Sequence, residues 1–164
     1  MAENLTLRES IQLAVITEQL GGGFYLKMAE KFSGDTEISG VFSKLAEDER
    51  LHEGQFKKLL NSLPREEVSE EKDERYQFLK ATAISGFFRQ EYFDKAAEIS
   101  KVEDVLGKAL AFEKATLQYY QAITEILGKT EQLNAIINAE KNHVLSLARM
   151  IPTDAVFRGL SDNF

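Results

Sequence analysis

Two histidines occur in this chain, and each lies three residues after a glutamate, in Glu49-Arg50-Leu51-His52 and Glu140-Lys141-Asn142-His143. Residues i and i+3 of a helix share a face, so such a pair aims two metal ligands in one direction. Glutamate fills 20 of the 164 positions, and chance alone would place one ahead of both histidines at this spacing about once in 70 trials. Each half of the chain carries a further glutamate about 30 residues upstream, Glu18 and Glu113. One glutamate from each of two helices, with a Glu-x-x-His pair from each of two others, can enclose two metal ions in the core of a bundle. Two of the glutamates would bridge the ions, and each histidine would cap one, its other N–H held by a neighbouring acceptor. Four carboxylates balance two divalent cations. Without metal they would repel one another, and some would hold protons. Oxygen and imidazole donors with open positions suit iron or manganese better than structural zinc.

These residues sit in a repeat. Glu18 is followed by Phe24-Tyr25 and Glu113 by Tyr119-Tyr120 at the same offset, while Leu45 answers Ile136 and Phe56 answers Leu147. A duplicated helical hairpin is the economical explanation. Apolar residues at spacings of three and four predict helices over roughly 6–32, 36–62, 102–127 and 130–151. Asn4 or Thr6, Asp35 or Thr36, and Thr130 are the expected caps, with stops at Pro64, Gly128 and Pro152. No alternating pattern of strands occurs, so the fold class is all-α. Residues 63–101 are too long for a structureless loop and are expected to hold short helices. They would form the one long crossover of a ferritin-like four-helix topology, within a single domain spanning 1–164. The charged run Arg65–Arg75 reads as a solvated helix or turn.

Heights along the bundle bear on the site. Glu18 and Glu49 lie about 14 and 13 residues from their shared turn, levels agreeing to about 2 Å. The arms from Glu113 and Glu140, about 14 and 10 residues, differ by roughly 6 Å.

Composition narrows the function classes. A net charge of −7 and a pI near 5.0 disfavour nucleic acid and anionic lipid as partners. The chain has no cysteine, which excludes disulfides, a catalytic thiol and cysteine-ligated iron within it. Neither a secretory signal nor an apolar run of membrane-spanning length is evident. The expectation is a soluble cytoplasmic protein, with a homodimer as the base-rate assembly.

The pattern Glu18…Glu49-Arg50-Leu51-His52…Glu113…Glu140-Lys141-Asn142-His143, with E-x5-[FY]-Y on the first and third long helices, resembles the rubrerythrin-like branch of the ferritin-like di-iron superfamily. The resemblance implies a carboxylate-bridged site of two iron ions per chain that reacts with peroxide or O2. Manganese or a mixed pair fits the same donors, and zinc could substitute in crystals. It implies Glu18, Glu49, His52, Glu113, Glu140 and His143 as ligands, with Glu49 and Glu140 as bridges. Rubrerythrins proper carry a four-cysteine rubredoxin domain, and these 164 residues hold none, so electrons are expected from a separate donor protein. They also carry a glutamate three residues after the third-helix ligand, where this chain has Thr116. The ligand exchange linked to that glutamate is therefore not implied. Peroxidase or ferroxidase chemistry is the leading expectation, against iron storage without turnover, hydroxylation of an organic substrate, or a structural bundle with a relict site.

Other residues admit two readings. Tyr25 and Tyr120, seven residues after Glu18 and Glu113, would hydrogen-bond ligand carboxylates, join electron transfer, or serve as core aromatics. Glu53 is expected to be solvated and not a ligand. Gly21-Gly22-Gly23 is expected to mark close packing of the crossover on the first helix or a break, with an opening for a small oxidant near Glu18 as the alternative. The apolar positions of residues 153–164 would cover a bundle end or a partner subunit.

Overall fold

The computed structural model describes residues 5–64, 73–84 and 88–152, and among them every regular element is helical. The elements are α1 (Leu7–Lys31), α2 (Thr36–Ser62), α3 (Glu74–Ala83), α4 (Gln90–Ala97), α5 (Val102–Leu127) and α6 (Glu131–Met150). The four long helices lie within a residue or so of their expected bounds, and the all-α expectation holds. The charged run falls outside the described residues except for its end in α3, and the 153–164 tail falls outside them entirely.

Local chemistry sets the helix ends. Thr6 accepts from Glu9 N–H at 3.1 Å while the Glu9 carboxylate accepts from Thr6 N–H at 2.8 Å, a reciprocal capping box. The Asp35 carboxylate accepts from Glu37 and Ile38 N–H, both at 3.1 Å, and Thr130 Oγ1 accepts from Leu133 N–H at 3.1 Å. Each such cap contributes about 1 kcal/mol. Gly128 ends α5 at φ 82°, backbone that an L side chain rarely adopts.

The buried apolar residues form two clusters. One joins Leu7, Ile11 and Val15 of α1 to Phe56 of α2, Tyr119 and Ile123 of α5, and Leu133 and Ile136 of α6. The other joins Phe24 and Met28 of α1 to Phe42 and Leu45 of α2, Leu106 and Phe112 of α5, and Leu147 of α6. On each long helix the residues between these stretches are the acidic ones. The bundle thus has an apolar core at either end and a carboxylate layer across its middle.

This order also fixes the directions. α1 and α6 run from the first cluster to the second, while α2 and α5 run back. The chain therefore leaves α2 at one end of the bundle and must begin α5 at the other. The segment between makes that traverse: α3 adds Leu79 to the first cluster and α4 adds Phe93 and Ala96 to the second. α3 lies against α5, and α4 against α1 and α5. The expected partly helical crossover is present.

Candidate metal centre

Glu18, Glu49, His52, Glu113, Glu140 and His143 converge in the middle layer, each at most 4% exposed. They form two groups whose donor atoms lie within 4.8 Å of one another: Glu18, Glu49, His52 and Glu140, and Glu49, Glu113, Glu140 and His143. Glu49 and Glu140 belong to both groups, so each can reach two ions. Glu18 and Glu113 belong to one each, as does each histidine. The His52 and His143 rings are 5.5 Å apart between centroids. Each site residue lies between apolar neighbours on the inner stripe of its helix, which is why the helical repeat buries it.

The shorter arm of the second hairpin does not separate its ligands: His143 Nδ1 lies 3.3 Å from Glu113 Oε2. Thr130 is extended, and three residues can span at most ~10 Å, room enough to shift the start of α6.

Inside the layer the donors are poorly satisfied by one another. His52 Nδ1 lies 2.8 Å from Glu140 Oε1 and 3.6 Å from both Glu18 Oε2 and Glu49 Oε2. Even so, Glu18 Oε2, Glu49 Oε1, His52 Nδ1 and Glu140 Oε1 are buried atoms without an aligned hydrogen-bond partner. Four orphaned donors within one buried layer would cost several kcal/mol left bare. They fit a hard divalent cation.

The proton affinities report the same crowding. Burial, and then the charges of Glu18, Glu113 and Glu140, push the Glu49 carboxyl well above its usual range. Burial and Glu140 raise Glu113 to about 7. Burial also acts to raise Glu140, but the His143 and His52 rings beside it outweigh burial and hold it low. The histidines move oppositely: burial lowers them, and the flanking carboxylates raise His52 to about 9 and His143 to about 11. Without metal, the cluster holds protons where it would otherwise hold cations.

Around this layer, Tyr25 of α1 donates its hydroxyl to Glu113 Oε1 of α5, and Tyr120 of α5 donates to Glu18 Oε1 of α1. Both are fully buried, and burial with the nearby carboxylates keeps their pKa values well above 10. They remain donors throughout the neutral range. Each ties one outer carboxylate to the opposite hairpin. Thr116, where rubrerythrins proper carry a glutamate, is 2% exposed. Its hydroxyl donates to the Glu113 carbonyl at 3.0 Å and lies 3.4 Å from Glu140 Oε2. Glu53 belongs to neither group and instead accepts from Gln19 at 2.7 Å and from Lys57.

Asp48 lies outside the six-residue pattern of the sequence. Its Oδ2 lies 3.4 Å from His143 Nε2, and its Oδ1 accepts from Lys44 Nζ at 2.7 Å. It is the acceptor that orients His143 from behind. In the repeat its counterpart is Ala139, so the two histidines are not equivalently supported. An acid immediately before a bridging glutamate was the available signal, but its contact spans 95 residues of sequence.

The triple glycine corrects an expectation. α1 runs unbroken through it, and its close neighbours lie in α5 and α2, not the crossover. A Cβ on Gly21 would lie 3.0 Å from Phe112 Cε1, and one on Gly22 would lie 3.4 Å from Glu49 Cβ. The small residues bring α1 close to Glu49.

Among the described residues no helix is long and apolar enough to cross a membrane. No curated protein matches the chain significantly. In structure it is similar to a candidate ferritin-like diiron-carboxylate protein from Thermotoga maritima, solved at 2.30 Å. The TM-score is 0.65 at 21% identity, over 92% of this chain and 97% of that one. At that identity the likeness shows the fold. The rubrerythrin family model matches residues 9–103, which include Glu18, Glu49 and His52, and since this is more than half of the sequence, the chain belongs to the rubrerythrin family.

Proposed function

We propose that this protein is a non-haem di-iron oxidoreductase that reduces peroxide or O2 with electrons from a separate donor protein. The observation that carries the reading is the pair of four-residue groups sharing Glu49 and Glu140. Glu18 and His52 would complete one position, Glu113 and His143 the other. Two ferrous ions bound there supply two electrons together, enough with two protons to convert a peroxide to two waters.

The chain's own residues set the conditions for that chemistry. The apolar clusters close the layer at both ends of the bundle. Asp48 orients the His143 ring. The Tyr25 and Tyr120 hydroxyls hold protons 1:1 against Glu113 and Glu18, orienting those carboxylates. Iron is favoured by the family and by the oxygen-rich donor set, and manganese fits the same donors. The homodimer and cytoplasmic expectations belong to this reading as well.

Anaerobic ferrous titration of the metal-free protein tests it. Two irons per chain, then donor-dependent loss of peroxide at a rate set by protein concentration, is the expected outcome. Uptake far beyond two irons would favour storage, and one or none would remove the di-iron reading. Glu49→Ala and Glu140→Ala should each abolish binding of the metal pair, and unchanged two-metal occupancy in either would overturn the bridging assignment.

A further inference from the structure

A glycine inside a helix costs about 1 kcal/mol relative to alanine, so three in succession need a reason. Gly21 and Gly22 have one in the approach to Phe112 and Glu49. Gly23 does not, because a Cβ there would meet nothing within 4 Å. Gly40, Gly54 and Gly107 are equally free, but the place of Gly23 differs. It lines two clefts, one of about 510 Å³ between α1 and α2 and one of about 140 Å³ between α1 and α4.

Glu18 of the metal centre is among the residues lining the larger cleft. Exposed Gly23, Glu47 and Arg50 line it, with half-buried Glu53 and buried Glu18. Glu18 is 2% exposed, and its Oε2 is one of the orphaned donor atoms. Glu53 is paired with Lys57 and Glu47 lies 3.8 Å from Lys44, while among the described residues the Glu18 carboxylate is paired with neither lysine nor arginine and is the one that would draw a cation inward.

We propose that this cleft is the passage by which divalent metal ions reach the centre, arriving at Glu18, and that Gly23 lacks a side chain so that the passage stays open. The proposal rests on the di-metal reading above. A ferrous ion would leave bulk water among Glu47 and Glu53 and exchange its outer waters for the unpartnered Glu18 oxygen.

Stopped-flow mixing of the metal-free full chain with Co²⁺, followed by cobalt absorption, tests this. Gly23→Leu fills the cleft from α1, and Ser43→Phe fills it independently from the facing wall of α2. Both variants should take up cobalt at least about tenfold more slowly, inside the one to three decades over which on-rates vary at one site. Final stoichiometry and equilibrium affinity should be unchanged, since a narrowed passage slows arrival and departure alike. Gly23→Ala should slow uptake measurably but by less than Gly23→Leu, and Glu47→Gln should weaken the dependence of the rate on ionic strength. Wild-type uptake rates in both filled variants would overturn the passage while leaving the centre intact. A slower rate accompanied by lost affinity would also overturn it, by placing the damage in the centre itself. A wild-type chain that binds no cobalt would overturn the di-metal reading and the passage together.

Discussion

At the scale of single residues the centre is nearly symmetric, and its departure from symmetry is the informative part. The Tyr25–Glu113 and Tyr120–Glu18 bonds repeat each other across the two hairpins. Asp48, 3.4 Å from His143 Nε2, has no partner at Ala139. A carboxylate behind a metal-bound histidine fixes the ring and raises its basicity, and its loss costs about 10- to 100-fold in metal affinity. Asp48→Asn should therefore weaken one of the two ions by that factor and leave the other at its wild-type affinity. A two-step equilibrium titration checks this, and equal weakening of both steps would contradict the unequal support. Glu49 yields a prediction of opposite character. Burial and three neighbouring carboxylates disfavour its charge, so Glu49→Gln removes the cost of protonating that carboxyl on folding while keeping the shape. The metal-free variant should unfold at a higher temperature than the metal-free wild type, yet fail to bind the metal pair. A lower unfolding temperature would show that the carboxylate is stabilised by contacts other than those seen.

At the scale of elements, what could be read from the sequence was what is local. Thr6, Asp35, Thr130 and Gly128 act on their own first or last turn, and their helices lie where the caps place them. The Glu-x-x-His spacing is equally local and picks out Glu49, His52, Glu140 and His143, while Glu18 and Glu113 follow from the repeat. α3 and α4 were expected only as unspecified short helices, because α3 buries Leu79 and α4 buries Phe93 and Ala96. One or two buried residues make no period. Asp48 and the tyrosine bonds were missed or left open because their partners lie on other helices, 88 to 102 residues away. The triple glycine shows the same limit, since its reason is interhelical. At Gly21 an added methyl would press on Phe112, a ring 2% exposed and held edge-on by Phe93 at 4.9 Å. Gly21→Ala should destabilise the fold by about 1 kcal/mol net, overpacking outweighing the gain in helix propensity. Gly23→Ala, with open space around it, should instead stabilise by about 1 kcal/mol. Denaturant titration of both variants reads the two signs, and a stabilising Gly21→Ala would mean that α1 can move away from α5.

At the scale of the whole molecule, the carboxylate layer makes folding, proton binding and metal binding one linked equilibrium. In the metal-free chain His52 holds its proton up to about pH 9 and His143 up to about 11, against an ordinary value of 6.5. Groups raised in the folded state stabilise it fully below the unfolded pKa, and that contribution disappears as pH climbs through the folded one. Glu113, raised to about 7, acts in the same direction between about 4.5 and 7, and of the six site residues Glu140 opposes it, at lower pH. Each extra proton bound by the folded chain changes stability by about 1.4 kcal/mol per pH unit. The metal-free protein should consequently lose several degrees of unfolding temperature per pH unit between pH 6 and 8, at about 2–4 °C per kcal/mol for a chain of this size. Bound metal reverses the sign, because the ions must displace those same protons and so bind more tightly as pH rises. The metal-loaded protein, gaining about 4 kcal/mol at a thousandfold excess over Kd, should show an unfolding temperature whose margin over the metal-free form widens from pH 6 to pH 8. Differential scanning calorimetry with and without saturating Mn²⁺ measures that margin. A margin that stays constant would mean that metal and protons do not compete for the six residues, and the donor set would then have to lie elsewhere in the chain.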